Sequence, residues 1–321
     1  MHGAKELGLS IRDYFSKPEY VAEGQLRMQK KYGHDCVSQF FYAPIEVEAW
    51  GAEVIYREDG PPNSGEPFLR DENRIGRLQP PDIKNTPCLI KVLEATRLLK
   101  KQVADKIPII GVVMSPFSLP VMQMGFERYL CIMYEKPDLF EPLMQVNESF
   151  CVEWANAQLE AGATAICYFD PLSSSSMTGE AFSRKGLAIA RRSRKKINGP
   201  IAIHLASGRT RKIMDGVVNS GASAVGCSYL EDLAELKAIC KGKITLIGNL
   251  NGVEMARWTP FEAKMNVRKC IAKAGPGGGF ILSDAHGEIP FQVSDEVLQA
   301  ISESAREFGK YPIQLGDSDG K

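Results

Sequence analysis

Short runs of apolar, β-branched residues recur along the chain, separated by longer stretches in which apolar positions return with helical spacing. From residue 107 onward the runs are Ile107 to Ser115, Thr164 to Asp170, Pro200 to Ala206, Ser223 to Tyr229, Ile244 to Asn251 and Gly279 to Ser283. Each is continuous enough to predict a strand buried on both faces, as in a parallel sheet. An earlier run, Cys36 to Tyr42, predicts one more.

The intervening stretches have readable ends. Thr86 precedes a predicted helix from Pro87 to Ala104, Thr178 one from Glu180 to Lys196, and Ser294 one from Asp295 to Phe308. In Thr259-Pro260-Phe261-Glu262 the threonine can cap, the proline suits the first helical position, and the glutamate stands where a capping box places its carboxylate. That helix should run to about Lys273. Gly162, Gly221 and Gly275 each stand between a helical stretch and a strand, and each is expected to end its helix in the left-handed conformation.

Repeated helix, glycine and apolar strand in a chain somewhat longer than the ~250 residues usual for the fold predict an α/β protein, a (β/α)8 TIM barrel with extra N-terminal helices. No Pro/Ser/Gly-rich linker divides the chain. One domain over 1–321 is expected, with a helical extension at 1–30 and a polar tail at 312–321.

Charge narrows the partners. Thirty-nine basic residues balance thirty-nine acidic ones, so no global field favours nucleic acid or an anionic membrane. No apolar run approaches the ~20 residues of a bilayer span, and the first residues lack the apolar core of a signal peptide; a cytoplasmic protein is expected. Eight cysteines are scattered singly, which suits reduced core residues better than a disulfide framework. No heptad or exposed apolar stripe marks an oligomer, and a monomer is expected.

In a barrel of this kind function gathers where strands end and βα loops begin. The predicted strand ends carry Asp170, His204, Ser207, Tyr229, Asn249, Asp284, His286 and Glu288. Only four histidines exist; His204 and His286 stand at the ends of separate strands, whereas His2 and His34 do not. Imidazole is the commonest metal ligand, and Asp284 and Glu288 add oxygen donors, so His204, His286, Asp284 and Glu288 are the candidate ligands of an open zinc site. Asp170 and Asn249 are candidate catalytic groups, and Ser173, Ser207 and Tyr229 candidate contacts to a cofactor or substrate. Each has a plainer reading: a hydrogen-bonded histidine, a turn acid before Pro171, a packed tyrosine, serines in a flexible loop. Gly275-Pro-Gly-Gly-Gly279 lacks a Walker lysine and precedes a strand, so it reads as a tight turn.

Tyr168-Phe-Asp-Pro-Leu-Ser-Ser, Ile203-His-Leu-Ala-Ser-Gly, Ile247-Gly-Asn-Leu, Gly278-Gly-Phe-Ile-Leu-Ser and Glu46-Val-Glu-Ala-Trp-Gly-Ala occur in this order, and together they resemble the uroporphyrinogen decarboxylase superfamily. They look closest to its corrinoid methyltransferase branch, which includes methylcobalamin:coenzyme M methyltransferases and zinc-dependent O-demethylases. The resemblance covers roughly residues 30 to 308 and implies transfer of a methyl group between a small methylated or methoxylated substrate and the cobalt of a corrinoid carried by a partner protein. In the coenzyme M enzymes the family pattern is His-x-Cys followed by a second Cys, which together hold zinc. Here His204 is kept, Ala206 stands at the first cysteine position, and the second falls on His286. Such a zinc, without thiolates, would be a harder Lewis acid, suited to an oxygen leaving group.

Other readings stand beside this one. Transfer can run from methylcorrinoid to a thiol or tetrahydrofolate, or the barrel can be a non-catalytic partner of a corrinoid protein. The resemblance also includes uroporphyrinogen decarboxylase itself, which would imply an arginine-rich N-terminal loop and an aspartate after the first strand. The corresponding stretches here, Glu23 to Tyr32 with only Arg27, and Phe40 to Pro44, supply neither.

Overall fold

A computed structural model of the chain describes residues 1–175, 182–240 and 242–313. Seven strands form one parallel sheet: β1 (Val37–Ser38), β4 (Ile109–Met114), β5 (Ala165–Phe169), β6 (Ile201–His204), β7 (Ala224–Gly226), β8 (Thr245–Leu250) and β9 (Phe280–Asp284), paired in that order. β2 (Val54–Ile55) and β3 (Asn63–Ser64) make a small antiparallel pair outside it. The sheet curls into a half-barrel of TIM type with helices packed around it. Val113, Ile166, Ile203, Val225 and Leu246 are nearly inaccessible to solvent and share the main core with those helices.

Every predicted strand is present, six of the seven shorter than the apolar run by two to five residues, and the last, Phe280–Asp284, shifted by one. β6 stops at His204 for a backbone reason: Ala206 and Ser207 take φ of 46° and 65°, outside the extended region, so pairing cannot continue to Ala206. The helices follow their signals closely: Pro87–Val103, Pro260–Ala274 and Asp295–Phe308. The capping box forms, with Thr259 Oγ1 accepting from the Glu262 N–H and the Glu262 carboxylate accepting from the Thr259 N–H. Thr86 does not cap; its hydroxyl donates to the Asp82 carbonyl at 2.6 Å. Thr178 lies outside the described residues.

Gly162 and Gly221 end their helices at φ of 119° and 88° as expected, but Gly275 does not. It keeps helical φ and ψ of −65° and −44°, and the turn falls instead on Gly277, Gly278 and Gly279, all with positive φ. The Pro276 ring fixes its own φ near the helical value, so the reversal waits for the glycines beyond it.

An eighth strand does not close the barrel among the described residues; β1 and β9 are left unpaired with each other. Helices fill the gap. Pro18–Tyr32 and Asp295–Phe308 meet through Tyr32 Oη, which donates to Asp295 at 2.8 Å, and Lys31, which bridges Glu6 and Asp295. The N-terminal extension thus helps wall the half-barrel, and that wall shapes the site.

Candidate active site

A cavity of about 580 Å³ opens between the unpaired strands. Its walls come from β1, β4, β5 and β9 with the loops after them, and from the helices that fill the gap. The lining is mostly apolar, with Phe40, Phe169, Leu282 and Ile301 among it. Its polar groups include Glu46, Asp284, His286 and Glu288. No lysine or arginine side chain is among its described lining residues.

His2 and His34, which stand at no strand end, both line this cavity, whereas His204 does not. The reason is the missing strand: the N-terminal segments that cover the gap carry His2 and His34 inward. Burial holds both imidazoles below their usual range, His2 at about 4.

His204 packs beside the cavity, against the lining residues Phe169 and Gly287. Its Cα is in register with that of Phe169 on the neighbouring strand, and the two rings stack. The Ala206 N–H donates to His204 Nδ1 at 3.2 Å. An Nδ1 that accepts leaves the proton of the neutral ring on Nε2. Burial lowers the His204 pKa; the Asp284 carboxylate opposes the shift and His286 adds to it. Gly287, at φ 93°, brings the loop after β9 so close that a Cβ there would stand 3.2 Å from both the imidazole and the Phe169 ring.

Asp284 ends β9. One carboxylate oxygen accepts from the N–H groups of His286 and Gly287, each at 2.7 Å, which shapes the loop that turns His286 inward. The His286 ring stacks on Tyr229, and its Nδ1 is buried with no hydrogen-bond partner. Glu288 follows on the same loop; burial pushes its carboxyl up, and the like charge of Asp284 adds to the shift.

The four candidate zinc ligands therefore gather within one region without converging. His204 Nδ1 has spent its lone pair on a backbone donor and its other nitrogen bears the proton, the reverse of a metal-binding imidazole whose second nitrogen donates outward. One Asp284 oxygen is occupied by two amides. Among the described residues no three His, Cys, Asp or Glu side chains form a group able to hold a metal. In this arrangement the residues do not fit a zinc ion.

The remaining candidates brace loops. Asp170 is buried beneath the strand ends, where Ser118 and Ser173 both donate to it at 2.6 Å. Burial raises its pKa against the pull of those serines. Ser118 also accepts from the Leu172 N–H, so this knot ties the loop after β4 to the loop after β5. Asn249 donates to the carbonyls of Ser228 and Glu231, at 2.8 and 3.0 Å, and lines a separate cleft beside the 260–274 helix. Ser207 donates to the Ala285 carbonyl at 3.1 Å, joining the loops after β6 and β9.

Sequence reasoning gave no role to Glu46, yet it is the most deeply buried carboxyl of the cavity, 3% exposed. It stands on the short helix Ile45–Ala49 and accepts from the Met114 N–H at 3.1 Å. Burial pushes its pKa up to about 7. The available signal was an acid between Ile45 and Val47; Glu48, two residues on, instead accepts from Tyr42 at 2.6 Å.

The family profile described as Uroporphyrinogen decarboxylase (URO-D) matches residues 2–308, nearly the whole chain. This chain belongs to the uroporphyrinogen decarboxylase family. Among its relatives, a uroporphyrinogen decarboxylase of Cupriavidus pinatubonensis is 27% identical over 94% of this chain and 86% of its own length. Another, of Methylococcus capsulatus, is 26% identical over 95% and 88%. Among solved structures, a methyltransferase from Methanosarcina mazei superposes with a TM-score of 0.87 over 96% of this chain and 90% of its own, at 20% identity. A B12-independent methionine synthase from Shewanella gives 0.60 at 15% identity. At such identities these likenesses concern the fold. Family membership makes an enzyme of the uroporphyrinogen decarboxylase family the frame for the site.

Proposed function

We propose that this member of the uroporphyrinogen decarboxylase family is a methyltransferase that takes a methyl group from a small, uncharged methylated compound, with a corrinoid on a separate protein as acceptor. One observation carries the reading: the cavity presents carboxyls and aromatic rings and, among its described lining residues, no lysine or arginine side chain. Uroporphyrinogen bears eight carboxylates, and desolvating them against Glu46, Asp284 and Glu288 with no lysine or arginine among the described lining residues would be strongly unfavourable. The sequence relatives are named decarboxylases, but two features expected of a decarboxylase are not met here. Arg27 is spent on an exposed pair with Glu23, and the residues after β1 are Gln39 and Phe40 instead of an acid.

Methyl transfer to a nucleophile is an in-line displacement, so it needs a held donor, an open approach to the methyl carbon and exclusion of water. The apolar walls supply the exclusion. His286, pinned between Tyr229 and the Asp284 loop, supplies a fixed polar edge. A docked corrinoid would supply the nucleophilic cobalt. Tyr229, Leu230 and Val253, exposed on the loops after β7 and β8, are the apolar surface such a partner would cover.

The test is a pair of assays on the purified protein. Methylcobalamin formation from methoxylated or otherwise methylated small molecules in the presence of cob(I)alamin is the expected result. Decarboxylation of uroporphyrinogen, with no methyl transfer from any donor, would overturn the proposal.

A further inference from the structure

His2 lines the cavity, is 8% exposed, and has no task in the methyl-transfer reading. It opens the helix His2–Leu7, and its ring is flanked by Phe291, the centroids 6.4 Å apart. Its Nε2 stands 3.0 Å from the Pro290 carbonyl. A carbonyl oxygen only accepts, so Nε2 carries the proton of that bond. Burial holds the imidazole pKa at about 4, although the Pro290 carbonyl and Asp295 favour the charged form, so at neutral pH the ring bears no second proton. Nδ1 is therefore an acceptor with a bare lone pair. It is buried, and no donor among the described residues meets it. A buried acceptor without a partner costs about 1–3 kcal/mol, a deficit that a donor on a bound ligand would relieve.

The chemistry of the cavity narrows that donor. Ketone, ether and ester oxygens only accept and cannot pair with Nδ1. Asp284 and Glu288 line the same cavity and oppose an anion, and mostly apolar walls suit a neutral group better than an ammonium stripped of its water. A hydroxyl is the neutral donor that remains, and the rings of Phe40, Phe41 and Phe169 in the lining suit an aromatic carrier for it. The loop that presents the Pro290 carbonyl also gives Glu288 and Ile289 to the lining, so the bond that fixes the imidazole belongs to the cavity's own wall.

We propose that His2 is a specificity-determining residue whose Nδ1 accepts a hydrogen bond from a hydroxyl group of the substrate, selecting a phenol or alcohol among neutral compounds of the same shape. No proton leaves the hydroxyl; the contact holds the ligand. The inference rests on the methyl-transfer reading only in taking this cavity as the substrate site, and it goes beyond that reading by naming the group that selects the substrate.

The test uses calorimetric titration of the full chain with phenol and with toluene, which differ by a hydroxyl in place of a methyl group. The ratio of phenol to toluene affinity should fall about tenfold or more in His2→Phe, which keeps a flat ring and has no acceptor. His2→Gln, whose amide can still donate to the Pro290 carbonyl, should lower the ratio as well. In the wild type with 15N-labelled histidine, phenol and not toluene should move the His2 Nδ1 resonance upfield, a readout that needs no variant to fold. No binding of phenol, a ratio unchanged in both variants, or a His2 Nδ1 resonance that phenol leaves in place overturns the anchor. Selective phenol binding through His2 without methyl transfer from any donor would sink the reaction and leave the anchor standing; methyl transfer without this binding pattern would do the reverse.

Discussion

Phe169 and His204 lie face against face, ring centroids 5.4 Å apart and planes 25° apart, because their Cα atoms are paired across β5 and β6. The stack, with the Ala206 N–H on Nδ1, fixes the orientation of the imidazole, and its burial favours the neutral form. Its folded pKa is lowered by burial, so between that value and the unfolded value of ~6.5 the unfolded chain binds more protons. His204 therefore costs stability as pH falls through that window and nothing above it. Unfolding midpoints in urea should fall more steeply with acid for the wild type than for His204→Gln, and the His204 ring should titrate below the ~6.5 of a free imidazole by NMR.

Glu46 predicts the opposite sign. Its folded pKa of about 7 lies above the ordinary 4.5, so the folded state binds the extra proton and the associated stability is lost as pH rises through 7. A displacement of that size corresponds to about 3 kcal/mol. Glu46→Gln keeps an acceptor for the Met114 N–H and never carries charge. It should match the wild type near pH 4.5 and exceed it by up to about 3 kcal/mol at alkaline pH, read from urea midpoints across the pH range.

For Asp170 the expected effect is on stability. Two serine hydroxyls donate to it in the core, and Asp170→Ala would leave both without their acceptor while emptying a buried site. A loss of about 3 kcal/mol is expected in denaturant unfolding. Full stability with abolished turnover would instead mark Asp170 as a reacting group.

The strands were legible because burial on both faces demands unbroken apolar runs, and the helix starts because Thr259 and Ser294 must satisfy amides whichever way the chain packs. What stayed illegible depends on closure. Nothing in the pattern at Val37 and Ser38 says that β1 and β9 stay apart, or that the N-terminal segments carry His2 and His34 into the lining of the cavity. Strand-end position brought Asp284 and His286 to notice, and both line the cavity, but it could not reveal that His204 stacks on Phe169. Glu46 escaped notice because a short helix with acids at 46 and 48 resembles a solvated face until its phase against β4 is known.

Gly252 tests the fit around His286. A Cβ there would stand 3.2 Å from Asp284 Oδ2 and 3.3 Å from His286 Nδ1, and its φ needs no glycine. Gly252→Ala should fold with a stability change within about 1 kcal/mol yet displace His286, lowering kcat/KM about tenfold or more. Unchanged kinetics would mean that the orientation of His286 does not matter to turnover.

Zinc provides the sharpest contrast between donor identity and donor orientation. His204, His286, Asp284 and Glu288 are chemically a reasonable set, but the His204 imidazole accepts from a backbone amide and one Asp284 oxygen accepts from two more. Recruiting His204 would require breaking the Ala206 contact and turning the ring out of its stack with Phe169, a rearrangement opposed by about 1–2 kcal/mol from those contacts. Elemental analysis of protein purified with zinc supplied should therefore give well under one zinc per chain, and added zinc should not raise the thermal midpoint. One zinc per chain, lost in both His204→Ala and His286→Ala, would show that the metal repays the rearrangement and that the ring turns on binding.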